Sequence, residues 1–190
     1  GSTNGGLVTN AAGHTIATES AGNKGDIQGA LTNLGLISTT GGRIDLSTNS
    51  KTNSGLIEAT AGGRLELSAI TLQNATGIVD VDLTSELVLE NGSRIEGGTV
   101  QGGGNVTQTG AVTLDGSTNA IALDDLKFVV GPGQTLALKG AVTNNSTIRL
   151  DDTSANASNA AVLQLDGSSP TGTGTLFFSS ANQNRVTAVG

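Results

Sequence analysis

Asp80 and Asp82 alternate along one short run of the chain, with Glu86 and Glu90 close behind. Carboxylates in such a row are the material of a calcium site, or of acid/base chemistry on a polysaccharide. Calcium takes about six to eight oxygens, more than two aligned carboxylates supply. Asp80, Asp82, Asp151 and Asp152 therefore stand only as calcium candidates, and Asp124-Asp125 is ambiguous in the same way. None of them sits in a Gly-Gly-x-Gly-x-Asp calcium repeat, because the nearest approach, Gly102-Gly103-Gly104-Asn105, lacks the aspartate.

His14 is the only histidine, so a Ser-His-Asp hydrolase would have to use it. It lies in Ala11-Ala12-Gly13-His14-Thr15 with no nucleophile motif around it, and is expected on a coil surface. Arg43 and Arg64 occupy equivalent places in two near-repeats, each two residues before an acid, Asp45 and Glu66. That row is either a site for a sulfated or carboxylated glycan or a cross-coil ladder in which acids neutralise stacked like charges. The ladder is the expected arrangement, with ~0–1 kcal/mol per exposed pair. The chain has neither Trp nor Tyr on which a sugar face would stack. The expectation is no catalytic residue, no cofactor and no enzymatic activity, and no metal beyond the candidate aspartates.

The elements that would position these residues are announced by repetition. Asn33-Leu34-Gly35-Leu36-Ile37 and Gly41-Gly42-Arg43-Ile44-Asp45-Leu46-Ser47 return as Asn53-Ser54-Gly55-Leu56-Ile57 and Gly62-Gly63-Arg64-Leu65-Glu66-Leu67-Ser68. Asn33 and Asn53 are 20 residues apart, Arg43 and Arg64 are 21, and Leu67 and Leu89 are 22. A repeat of that length is one coil of a solenoid, unable to bury its apolar edge until a neighbour stacks on it. Apolar residues alternate with polar ones over four to six positions, and Gly and Asn interrupt every helical candidate. With only three Phe and no Trp, Tyr or Met, the core must be narrow and aliphatic.

These features predict an all-β chain, a single-stranded right-handed parallel β-helix of about 20–22 residues per coil, stacked ~4.8 Å apart. Eight or nine coils give a rod near 40 Å long. Repeated Asn residues are expected to donate amide hydrogen bonds to one another at the corners, and Gly to supply the positive φ that sharp corners need. The inward set is Ile44, Leu46, Leu65, Leu67, Val81, Leu87, Leu89, Leu114, Leu136, Leu138, Ile148 and Leu150. Gly1-Ser2 reads as a tag-cleavage remnant and residues 3–190 as one β-helix segment of a longer protein. The repeats are clearest over 33–90 and pass into degenerate, longer-loop coils over 91–190, where 151–159 is expected to bulge as a loop.

The motifs Asn-x-Gly-x-Ile and Gly-Gly-Arg-x-x-Leu, as they stand at 33–46 and 53–67, resemble the haemagglutinin-type repeats of large secreted bacterial adhesins. That group includes filamentous haemagglutinins and autotransporter passenger domains. Thr113-Leu114-Asp115-Gly116-Ser117, Gly133-Gln134-Thr135-Leu136-Ala137-Leu138 and Thr147-Ile148-Arg149-Leu150 are similar to the degenerate coils of the same group. The resemblance implies a right-handed β-helix, secretion or display on the bacterial cell surface, and a stalk or adhesive role with no shared catalytic residues. A surface receptor or glycan is the expected partner, besides neighbouring coils of the parent protein. A net charge of −7 with nine dispersed Lys and Arg excludes a nucleic-acid partner, and no apolar run approaches the ~18 residues of a membrane helix. The alternatives are a carbohydrate-active β-helix enzyme, lyase or hydrolase, and a phage tail-fibre segment, which would need to trimerise.

Overall fold

Short alternating strands leave each coil with one apolar edge, and only stacking hides it. The computed structural model of the chain describes residues 6–151, 159–179 and 183–189. It is a parallel β-solenoid of about 8 turns with roughly 21 residues per turn. The first coil carries β1 (Val8–Asn10), β2 (Thr15–Thr18) and β3 (Lys24–Ile27), and the second β4 (Leu31–Asn33), β5 (Leu36–Thr40) and β6 (Arg43–Ser47). Then come β7 (Lys51–Asn53), β8 (Leu56–Thr60) and β9 (Arg64–Ser68), and β10 (Thr71–Gln73), β11 (Ile78–Val81) and β12 (Glu86–Leu89). The fifth coil has β13 (Arg94–Glu96), β14 (Gly98–Gly102) and β15 (Asn105–Gln108). Three faces result: β1-β4-β7-β10-β13, β2-β5-β8-β11-β14 and β3-β6-β9-β12-β15, parallel throughout.

The upper half is built on longer strands. β16 (Ala111–Val130) and β17 (Thr135–Leu150) each run round nearly a whole coil as one bent strand, paired residue for residue, with register shifts only at Gly116/Ile121 and Asp124/Lys127. Beyond Leu150 the spacing between coils is longer, with Leu138 paired to Leu165 and Thr147 to Thr175. β18 (Val162–Asp166), β19 (Thr175–Phe178) and β20 (Arg185–Val189) continue the first and third faces. Most of the predicted loop 151–159, with Asp152, lies outside the described residues, as do Gly1 and Ser2.

Every residue of the predicted inward set is at most 2% exposed. They stack in columns: Ile37-Ile57-Val79-Val100-Leu123 on the second face, and Ile44-Leu65-Leu87-Val106-Phe128-Ile148 on the third. The asparagines form the expected ladder. Asn10, Asn33 and Asn53 each donate from Nδ2 to Oδ1 of the next, ending on Asn74, over 2.7–2.8 Å. The glycine expectation holds at one corner and fails at another. Gly41 and Gly62 have φ of 68° and 81°. Gly55 does not have positive φ; a Cβ there would lie 2.2 Å from the Gly35 carbonyl oxygen, so close stacking excludes a side chain.

Besides the asparagines, one inward position carries a cation. Lys51 stands between Leu31 and Leu72 in the first-face column and is 1% exposed. Its Nζ donates to the carbonyls of Ser47 (2.7 Å) and Asn49 (2.6 Å), across a corner where Thr48 has a φ of 70°. A β-branched residue in the left-handed region costs ~1–2 kcal/mol, and the ammonium holds the carbonyls on either side of it. Burial lowers the Lys51 pKa from its usual 10.5, against the pull of Asp26 and Asp45. Between the lowered value and 10.5 the unfolded chain binds a proton that the folded one does not, so stability rises with pH there. Urea midpoints measured up that alkaline range are expected to climb in the parent and to stay flat in Lys51→Met.

Candidate functional surface

Side chains that alternate off a strand make two outward columns per face, so chemistry on this molecule is built from residues one coil apart. On the third face Lys24, Arg43, Arg64 and Glu86 form one column, beside Asp26, Asp45 and Glu66. Arg43 reaches Glu66 at 2.7 Å and Asp45 at 3.6 Å, while Arg64 reaches Glu66 at 3.3 Å and Glu86 at 3.1 Å. The cross-coil ladder is therefore present. Its acids are not the exposed partners expected, since Glu66 is 3% exposed beneath the guanidinium groups. Losing Arg64 would leave a buried carboxylate short of a partner, a larger penalty than an exposed pair carries.

The calcium candidates do not converge. Asp80 stays outward on β11 and accepts from Gln101 Nε2 at 2.6 Å. Asp82 lies past the end of that strand and turns back on the corner, accepting from Ala61 N–H (2.7 Å) and from Thr84 N–H and Oγ1 (both 2.9 Å). Asp151 meets Arg149 at 3.0 Å and accepts from Ser179 Oγ at 2.6 Å, and Asp152 is outside the described residues. Asp124 accepts from Asn145 at 2.7 Å. Among the described residues no group of three His, Cys, Asp or Glu is placed to hold a metal. His14 is exposed on a turn closed by its own N–H to the Ala11 carbonyl.

Asp82 is a corner clamp. Burial works against its charge, but the Ser85 side chain, the Ala61 N–H and Thr84 outweigh that and hold the carboxyl at about 2, below its ordinary 3.8. Because the folded value is depressed, this stability is complete above 3.8 and is lost as the pH falls toward 2. Asp82→Asn is expected to lower the urea midpoint at neutral pH and to converge on the parent near pH 2. An unchanged gap across that range would show that Asp82 does not clamp the corner.

Two of the grooves among the described residues lie on outward faces of the coils. One, of about 300 Å³, is lined by Gln73, Arg94, Glu96, Asp115, Thr118 and Asn119. Glu96 and Asp115 are register partners on the first face, and Arg94 bridges them, 3.0 Å from Glu96 and in direct contact with Asp115. Burial opposes the charge of Asp115, yet Ser117, Arg94 and Lys139 prevail and lower its pKa. A glycosidase general acid needs a carboxyl shifted upward, so Asp115 is tuned away from that role. The second groove, of about 510 Å³, lies on the third face over Lys127, Val129, Thr147, Arg149 and Phe177.

Neither groove was visible in the sequence, because each gathers residues from successive coils. Compared with known proteins, the chain matches no family model, no curated protein and no solved structure.

Proposed function

We propose that the chain is a structural and adhesive β-solenoid segment of a secreted or surface-displayed bacterial protein, a stiff stalk that also presents binding faces. The observation that carries this reading is the coil-on-coil register, which continues past the shifts at Gly116/Ile121 and Asp124/Lys127. Aliphatic columns run inside and an Asn ladder runs up one corner of the first coils, so stability accumulates coil by coil along one axis. The haemagglutinin-like motifs support it as well, since Arg43 stacks on Arg64 and Asn33 on Asn53, repeat upon repeat.

Pulling the chain by its two ends in a single-molecule force experiment tests the stalk. Extension is expected in steps of about 70 Å, one coil of roughly 21 residues at ~3.4 Å each. A single all-or-none rupture would overturn a modular stalk. The enzyme alternative is tested by incubating the chain with acidic polysaccharides, with and without calcium. Accumulating shortened products would replace the stalk reading with a lyase or hydrolase.

A further inference from the structure

The outward side of the third face changes character along the rod. In the lower coils Arg43 and Arg64 are covered by carboxylates. Beyond Glu86 the two outward columns read Asn105-Lys127-Thr147-Thr175 and Thr107-Val129-Arg149-Phe177, with no carboxylate in either. Lys127 is exposed and forms no ion pair among the described residues. Arg149 is also exposed and, among the described residues, touches one carboxylate, Asp151, whose second oxygen is taken by Ser179. On a chain of net charge −7 this is a local surplus of positive charge, set in a groove of about 510 Å³.

The spacing suits one anionic group. Val129 is the direct partner of Arg149, so Lys127, two residues earlier, is its diagonal neighbour at about 7–8 Å. Both side chains are long enough to bring their heads to a shared carboxylate, and a guanidinium takes one in bidentate fashion. Phe177 stacks directly on Arg149 and is 54% exposed, offering a flat apolar surface beside the cations. A volume within ~300–1,000 Å³ is that of a small-ligand groove. One free lysine with one half-neutralised arginine matches a single negative charge carried on a ring with an apolar face.

We propose that this groove binds carboxylated saccharides, the carboxylate of a uronate ring seated between Lys127 and Arg149 and its apolar face on Phe177. The inference deepens the adhesive half of the proposed function and rests on it.

The test titrates the full chain with a hyaluronan tetrasaccharide, following amide shifts by NMR, with neutral chitotetraose and a carboxylate-free sulfated dextran oligosaccharide alongside. The uronate probe is expected to shift Thr147, Arg149 and Phe177 at millimolar concentration or below and to weaken as salt rises. Lys127→Met, Arg149→Gln and Phe177→Ala each weaken it about tenfold without altering the far-UV spectrum, their side chains being exposed. Equal binding of chitotetraose, preference for the sulfated probe, no binding at all, or binding indifferent to these substitutions overturns the proposal. Coil-by-coil extension with no saccharide binding would leave the stalk standing and remove the groove; binding with all-or-none rupture would do the reverse.

Discussion

Leu67→Asp abolishes the cooperative thermal transition seen by far-UV circular dichroism and leaves the rod unfolded at room temperature. Leu67 is fully buried in the column Leu46-Leu67-Leu89. Truncation alone, Leu67→Ala, should cost about 2–5 kcal/mol through lost transfer energy and the cavity left behind. The aspartate adds the several kcal/mol of a buried, unpaired charge, set against a total stability of only ~5–15 kcal/mol for a domain. Rescue from within is closed, because the buried cation Lys51 already spends its ammonium on the Ser47 and Asn49 carbonyls. The loss also propagates, since each coil is stable only through its neighbours. An unchanged melting temperature would remove Leu67 from the core.

Like stacking on like is why so much of the fold was legible. A solenoid places the same position of each coil in one column, so Leu67 and Leu89, 22 residues apart in sequence, are direct partners. The inward aliphatics and the asparagine ladder follow from that period. What escaped the period escaped the reading. Lys51 occupies a leucine's slot because register, not residue type, decides which way a side chain faces, and its head is satisfied by the corner it turns. Ala61 and Ala69 hold positive φ, of 52° and 55°, at corners where glycine would be the sequence expectation. The bent strands β16 and β17 keep their pairing after the motif has dissolved, because backbone hydrogen bonds need no side-chain repeat.

The candidate surface was legible in part, for a related reason. The Arg43/Arg64 ladder is written within two adjacent repeats, so its partners were readable, although the depth of Glu66 was not. The Lys127/Arg149/Phe177 groove takes each of these three residues from a different coil, where no shared motif marks them. The aspartates that looked like chemistry in one dimension are spent on corners and neighbours: Asp82 on the Ala61 and Thr84 amides, Asp80 on Gln101. Alternation in sequence put them close together. The end of β11 at Val81 separated their surroundings.

Asn53→Ala is the polar substitution with the largest expected cost. Asn53 is 1% exposed and uses its whole amide: Nδ2 donates to Asn74 Oδ1 (2.7 Å) and to the Ile78 carbonyl (3.2 Å), while Oδ1 accepts from Asn33 Nδ2 (2.8 Å) and Gly55 N–H (3.2 Å). Alanine leaves these buried groups unpaired at ~1–3 kcal/mol each, so a loss on the order of 4 kcal/mol in urea unfolding is expected. Thr52→Ala, the neighbouring outward position, should cost no more than about 0.5 kcal/mol. Equal midpoints for the two variants would mean that the ladder contributes nothing. Asn53→Asp separates donor from acceptor. The introduced carboxylate keeps the acceptor but faces Asn74 Oδ1 and the Ile78 carbonyl with no proton to give, so its folded pKa is raised. Relative to the parent, that variant should be least stable at neutral pH and recover as the pH falls and the carboxyl regains a donor. Such recovery in Asn53→Asp but not in Asn53→Ala would assign the cost to the missing donor. It would also explain why Asn recurs at this corner: a slip of one residue turns the ladder outward and strands each buried amide, so the ladder holds the coils in register as well as together.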